Sequence, residues 1–238
     1  MSTSPEPFDS DRDQRDAPRV GGRQVPKDAA TLILTRRHRG AAQVLMGRRA
    51  PGHVFMASKW VFPGGRIDRA DFTAAAANEP SSAVMERLMT EVPARRARAL
   101  ALTAVRETFE ETGLLLAAPA PTASVAGPWR EFRAVGALPD LAALNYIARA
   151  ITPPGRTRRF DARFFMAPAE ALLHPEPTVG SGELDEIAWL DLDEARAQDL
   201  PAITRFVLGE VGERLTTPDR PLPFVRMVRR RHVVERLG

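Results

Sequence analysis

The chain has 238 residues, of which 44% are hydrophobic and 27% charged, and these values exclude a wholly disordered protein. It contains no cysteine, which excludes disulfide scaffolds, thiolate zinc sites, iron–sulfur clusters and cysteine nucleophiles. The formal net charge is only +4, and the acidic residues are interleaved with the arginines, so the charge argues against nucleic acid as the partner.

No apolar run approaches the roughly 20 residues needed to span a bilayer. The N-terminus also lacks the apolar segment of a signal peptide. We therefore expect a cytoplasmic protein with no membrane partner. Residues 1–26 are polar and rich in Pro, Asp and Arg, which predicts a disordered tail before one domain over residues 27–238.

Short apolar runs predict the first strands of this domain. Residues 29–35 and 43–48 flank a charged segment with a glycine, which predicts a hairpin. Residues 60–62 form a third short run that Pro63-Gly64-Gly65 ends.

The rest of the chain mixes helical and strand patterns. Alanine-rich residues 71–91 predict an inserted helical segment, and the next helix runs from Pro93 to Thr112 with Gly113 as its C-cap. We predict strands at 114–116, 159–166 and 186–190, a loop at 117–128, and helices at 129–149 (broken at Pro139), 193–198 and 203–214. This mixture lacks a regular βαβ order and predicts an α+β fold of the α/β/α sandwich type.

The segment over residues 106–114, RETFEETGL, carries the clearest chemical signal. On a helix, Glu107, Glu110 and Glu111 fall within an arc of about 100°, opposite an apolar stripe. Like charges at this spacing, near a helix C-terminus, are unfavourable. A bound divalent cation would offset them, and carboxylate oxygens favour Mg²⁺ or Mn²⁺ over zinc. A solvated acidic helix face is the simpler alternative.

The same segment resembles the second half of the signature of the Nudix hydrolase family. Phe62-Pro63-Gly64-Gly65 resembles the first half, and Asp71 stands where the family usually has glutamate. Between Asp71 and Arg106 lie 34 residues, where the family has seven. A similar insertion occurs in a subgroup similar to the peroxisomal coenzyme A diphosphatases, which the segment RRFDARFF at 158–165 also resembles.

The resemblance implies a mixed sheet flanked by helices, with residues 72–104 as an insertion and an extended lead into the catalytic helix. It also implies a divalent-metal-dependent hydrolase that cleaves the diphosphate of a nucleoside diphosphate linked to another group. Coenzyme A (CoA) or acyl-CoA is the leading small-molecule substrate, and ADP-ribose and NADH are the alternatives. Glu107, Glu110, Glu111 and the Gly65 carbonyl would hold Mg²⁺ or Mn²⁺.

The resemblance further implies catalytic roles for Arg106 and Glu107. Glu107 would be a metal ligand or would orient or deprotonate water, and Arg106 would hold it in place. Glu183 or Glu186 would supply an additional acid from a distant loop. The candidate substrate-binding residues, each of them alternatively an ordinary surface charge, are Arg48, Lys59, Arg159, Arg163 and Glu183.

Two other functions stay as alternatives. One is a catalytically silent Nudix domain that acts as a nucleotide-binding regulator. The other is an RNA-processing or decapping protein, although an aromatic content of 6% provides few platforms for base stacking. The basic segment at 226–232 predicts a solvated helix face or a contact between two copies of the chain, which makes a homodimer an alternative to a monomer.

Overall fold

The structure is a computed structural model that describes residues 8, 24–50, 57–177, 182–229 and 231–237. Its strands are β1 (Lys27–His38), β2 (Ala41–Arg49), β3 (Trp60–Val61), β4 (Gly64–Arg66), β5 (Ala117–Pro119), β6 (Ala137–Pro139), β7 (Asn145–Ile151), β8 (Phe160–Pro168), β9 (Leu184–Asp191), β10 (Leu222–Val228) and β11 (Arg231–Leu237). Its helices are α1 (Ser82–Met89), α2 (Ala94–Thr112), α3 (Arg130–Ala134), α4 (Leu192–Ala197) and α5 (Ala202–Arg214), with 3₁₀ turns at Arg69–Phe72 and Ala169–Ala171. Within these ranges, every helix is too short or too polar to cross a membrane.

Nine of the described strands form one mixed sheet in the order β11-β10-β7-β8-β1-β2-β3. Strand β4 also pairs with β1, and β9 also pairs with β2. The pairs β1–β8 and β7–β10 are parallel, and the other pairs in this sheet are antiparallel. The predicted hairpin at the start of the domain is confirmed as β1 and β2.

Helices cover both faces of this sheet. Along β1, Leu32 and Leu34 belong to the core under α1 and α2, whereas Ile33 belongs to the core under α4 and α5. This alternation is what a strand buried on both faces requires, because successive side chains point to opposite sides. The predicted α/β/α sandwich is confirmed.

Three stretches differ from their predicted structure. Residues 129–149 contain only the short helix α3, followed by strands β6 and β7. Strand β7 is mostly buried between β8 and β10. Because such a strand is apolar on both faces, its hydrophobic pattern in the sequence does not distinguish a strand from a helix. The described residues of the basic segment at 226–232 lie mostly in the paired strands β10 and β11 rather than on a helix face, and the strand predicted at 114–116 lies instead at β5.

The insertion forms α1 and the first half of α2, and a buried carboxylate fastens it to the sheet. Glu91, in the turn between these helices, accepts a hydrogen bond of 2.9 Å from the Tyr146 hydroxyl. It also lies 3.3 Å from guanidinium nitrogens of Arg149 and Arg163. The side chain of Arg163 is only 1% exposed, so this is a buried charge network.

Phe8 is the one described residue from the first part of the predicted tail. Its ring lies 6.0 Å from that of Phe206 and 4.8 Å from that of His232. The other residues of 1–23 lie outside the described residues, so a disordered tail stays a prediction.

The buried network generates a stability prediction. Replacing Glu91 with Gln removes a carboxylate that compensates the buried guanidinium of Arg163 and the half-buried one of Arg149, and we expect a loss of about 3 kcal/mol in the free energy of unfolding, measured by urea denaturation. Glu79→Gln is the matched control, because Glu79 forms its ion pair with Arg98 at the surface and should cost less than about 1 kcal/mol. Equal losses in the two variants would show that Glu91 stabilises the fold no more than a surface ion pair does.

Candidate active site

The glycine turn and the carboxylate helix meet beside strand β1. Gly64 and Gly65 pair with Thr31 and Ala30. A Cβ atom at Gly64 would lie 2.6 Å from the carbonyl oxygen of Ala30, and one at Gly65 would overlap the carboxylate of Glu107. Glycine is therefore required at both positions, because a larger residue would push the turn away from strand β1 at Gly64 and from the catalytic helix at Gly65.

A fully buried carboxylate joins the two halves of the signature. Asp71 accepts hydrogen bonds from Arg106 at 2.9 Å from Nε and 3.0 Å from Nη2, which is a two-point contact. Asp71 is 0% exposed and Arg106 is 4% exposed. Asp71 thus stands in the place of the expected glutamate and fixes the guanidinium of Arg106.

Two further side chains donate to the same carboxylate. The Thr103 hydroxyl lies 2.9 Å from one oxygen of Asp71, and the Trp129 indole nitrogen lies 3.0 Å from the other. The main-chain N–H of Asp68 adds a bond of 2.8 Å. Sequence reasoning missed Trp129, because nothing local marks a contact between residues 58 positions apart.

The other side of Arg106 faces the predicted catalytic carboxylates. Its Nη1 lies 2.9 Å from a Glu107 oxygen and 2.9 Å from a Glu110 oxygen, and its Nη2 donates to the Arg66 carbonyl at 3.0 Å. Burial works against the charged guanidinium, but the acids around it, Asp71 above all, outweigh burial and raise the pKa of Arg106. Arg106 therefore stays charged and orients both glutamates.

Glu111 is the most buried of the three glutamates, at 3% exposed. It accepts a hydrogen bond of 3.0 Å from the Gly64 main-chain N–H. Burial raises the pKa of Glu111 to about 8 and that of Glu107 to about 7, and it also raises the pKa of Glu110. The negative charge of the site is thus only partly compensated by the protein itself.

This donor set fits a hard divalent cation. Within the described ranges, no three acidic or histidine side chains yet surround one point closely enough to hold a metal ion. The geometry gives the reason: Arg106 draws Glu107 and Glu110 onto its guanidinium. Because Asp71 holds Arg106 independently, either glutamate can turn toward a cation without releasing the arginine. Carboxylate oxygens with excess negative charge match Mg²⁺ or Mn²⁺.

Two residues near β2 also act on this cluster. The charge of Glu183 raises the pKa of both Glu110 and Glu111, and the charge of Arg49 lowers that of Glu111. Glu186 instead forms an ion pair with Arg48 at 3.2 Å. Of the two acids that the sequence left as alternatives, Glu183 is the one that the structure brings to the carboxylates.

The remaining predicted substrate-binding cations lie in other contacts. Arg48 and Lys59 form ion pairs with surface acids, Lys59 with Asp199 at 2.8 Å. Arg159 donates to main-chain carbonyls of residues 24 and 152. Arg163 corrects the prediction made for it: its buried guanidinium is bonded within the Glu91 network and does not face the cluster.

Comparison with known proteins assigns the family. No protein-family model matches the chain. The crystal structure of a Nudix hydrolase from Alicyclobacillus acidocaldarius is 30% identical, with a TM-score of 0.62 over 79% of this chain and 91% of that one. The chain belongs to the Nudix hydrolase family. The candidate site described above carries the two halves of the signature that resembles the Nudix family, separated by the insertion.

Two other proteins are similar to this Nudix chain. The acyl-coenzyme A diphosphatase NUDT19 of Gallus gallus is 27% identical in a match that covers 64% of this chain and 55% of that protein. The chain thus spans little more than half the length of this relative. The Nudix domain of Shewanella oneidensis NrtR, solved with ADP-ribose, shares the fold at 13% identity and a TM-score of 0.50, over 81% of this chain and 90% of that one.

The Asp71–Arg106 contact generates a second stability prediction. Asp71→Asn removes the charge that compensates buried Arg106, and we expect a loss of about 3 kcal/mol in the free energy of unfolding. Asp68→Asn is the matched control: Asp68 caps the 3₁₀ turn at the surface, and asparagine caps equally well, so the cost should stay within about 0.5 kcal/mol. Both variants are measured by urea denaturation. A small effect at Asp71 would show that the glutamates alone suffice to hold Arg106.

Proposed function

We propose that the chain is a divalent-metal-dependent hydrolase that cleaves the diphosphate of a nucleoside diphosphate linked to another group. The observation that carries this proposal is the gathering of Glu107, Glu110 and Glu111 around the glycine turn, on an arginine that Asp71 holds from behind. Membership of the Nudix hydrolase family supports the reaction class.

The residues divide into holding and positioning roles. Glu110, Glu111 and the Gly65 carbonyl would hold Mg²⁺ or Mn²⁺, with Glu107 as a further ligand or as the base. When bound, the cation neutralises charge on the diphosphate and increases the acidity of water. Arg106 positions Glu107 and Glu110 and is itself held by Asp71.

The reaction is a hydrolysis at phosphorus. The oxygen of water forms a bond to one phosphorus of the diphosphate, and the bond from that phosphorus to the bridging oxygen breaks. The bridging oxygen leaves with the electron pair on the second phosphate, and a carboxylate, Glu107 in this proposal, accepts the proton of the water. Two phosphate monoesters result.

CoA or acyl-CoA is the leading substrate, and ADP-ribose and NADH are the alternatives. The relative from Gallus gallus bears the name of an acyl-coenzyme A diphosphatase, and it supports this choice although the chain spans only 55% of it. Cleavage of CoA within the diphosphate gives adenosine 3′,5′-bisphosphate and 4′-phosphopantetheine.

Removing single carboxylates tests the assignment of the site. We expect Glu110→Gln and Glu111→Gln each to lower kcat by about 10² or more, because each variant loses a charged ligand for the divalent cation. The melting temperature should stay the same or rise, since repulsion on the acidic face is relieved. Glu86→Gln, an exposed change on α1, serves as the control. Turnover close to wild type in both site variants would show that these two glutamates take no part in the reaction.

A substrate panel tests the choice of substrate. CoA, dephospho-CoA, ADP-ribose and NADH are incubated with Mg²⁺ or Mn²⁺, and the products are identified by mass. We expect CoA to give the two products named above. If CoA resists hydrolysis while ADP-ribose or NADH is cleaved with a kcat/KM at least about tenfold higher, the substrate proposal is wrong and the reaction class stands. Nucleotide binding without any hydrolysis would favour the silent regulator instead.

A further inference from the structure

A cavity of about 350 Å³ opens beside Glu110 on the catalytic helix. Its walls are Phe109 and Glu110 of α2 and, from the loop and first turn of α3, Gly127, Pro128, Arg130 and Glu131. This volume lies at the lower end of the range for small-molecule sites. The cavity therefore extends the candidate active site toward the segment that follows the catalytic helix.

Aromatic contacts fix the outer wall of this cavity to the catalytic helix. The ring of Phe132 packs edge-on against Phe109, with centroids 5.1 Å apart, and against Trp129, with centroids 5.3 Å apart. Trp129 in turn donates to Asp71, the carboxylate that holds Arg106. The cavity wall and the catalytic arginine are thus positioned by the same buried residues.

Arg130 is the cation of this cavity. It is exposed, and its guanidinium makes no hydrogen bond or ion pair with any other residue that the structure describes. Arg133, one turn further along α3, instead donates at 2.6 Å to the carbonyl of Ala137. Arg130 therefore presents its planar set of donors to the cavity, a geometry that suits two-point recognition of a phosphate.

We propose that Arg130 binds a phosphate of the substrate outside the diphosphate that is cleaved, namely the ribose 3′-phosphate of CoA. This inference rests on the proposed function, because it takes Glu110 as a neighbour of the reacting diphosphate. The ribose then lies between Glu110 and Arg130, and the adenosine lies along the wall of the cavity that includes Phe109. Arg163, which the sequence suggested as a substrate-binding residue, is buried in the Glu91 network and is not available for this phosphate.

Glu131 gives the same cavity a charge of the opposite sign. Its carboxylate repels an anion but accepts hydrogen bonds from hydroxyl or amino groups, which a nucleoside supplies. The pair of neighbours therefore selects a ligand with both a phosphate and donor groups. The two charges also give opposite expectations. Removing the positive charge of Arg130 should lower the preference for the 3′-phosphate, and removing the negative charge of Glu131 should raise it.

The kinetic test compares two substrates that differ only in the 3′-phosphate. We expect Arg130→Glu to lose at least about tenfold more kcat/KM on CoA than on dephospho-CoA, and Glu131→Gln to move this ratio the other way. Arg39→Glu makes the same charge change at the β1–β2 turn, eight residues beyond Thr31 and thus roughly 26 Å along the strand, and should not alter the ratio. An unchanged ratio in Arg130→Glu would overturn the inference.

A binding test without metal separates this inference from the proposed function. Calorimetry compares adenosine 3′,5′-bisphosphate with 5′-AMP on the full chain. We expect the wild type to prefer the bisphosphate by about tenfold and Arg130→Glu to abolish the preference. A preference that persists in Arg130→Glu contradicts the assignment of Arg130. Failure of the wild type to hydrolyse CoA, with the preference intact and lost in Arg130→Glu, contradicts the substrate proposal alone.

Discussion

The buried contact between Asp71 and Arg106 is the interaction on which the candidate site depends. A buried ion pair is expensive to desolvate and stabilises a protein only when its remaining hydrogen-bonding groups are satisfied. Thr103 and Trp129 satisfy the carboxylate, and the Arg66 carbonyl and the catalytic glutamates satisfy the guanidinium. These hydrogen bonds offset most of the desolvation cost of the pair and hold Arg106 in one position. The position of Arg106 in turn determines where the side chains of the glutamates lie.

This contact also explains how the signature tolerates its insertion. Once Asp71 and Arg106 are bonded, the chain between them is a closed loop, and the entropy cost of lengthening a closed loop grows slowly. The added residues are folded into α1 and the first half of α2, and Glu91 ties their turn to β7 and β8. The insertion thus extends the catalytic helix at its N-terminal end, within the core. The carboxylates at the C-terminal end of the helix stay beside the glycine turn.

Local patterns allowed the sequence to predict the parts of the site that lie within one element. Spacing or a single residue type predicts three features: the helix capped by Gly113, the hairpin of β1 and β2, and the close approach of the turn at Gly65. Contacts between distant elements could not be predicted in the same way. Neighbouring residues of a strand point to opposite faces, so only the register of β2 shows that Arg49, and not Arg48, lies near Glu111. Trp129 is a similar case, because its partner is set by tertiary packing.

The electrostatics of the carboxylate cluster bear on the choice between an enzyme and a silent binding domain. Burial raises the pKa of Glu107 and Glu111, which means that folding makes their charged forms less favourable. A domain that only bound nucleotides would repel its own anionic ligand with these charges and would be more stable without them. A domain that holds a divalent cation gains from each carboxylate, because the cation reverses the sign of the local field for both the glutamates and the diphosphate. The contacts of Arg106 favour a domain that holds a divalent cation, since Asp71 keeps the arginine in place whether or not the glutamates remain bonded to it.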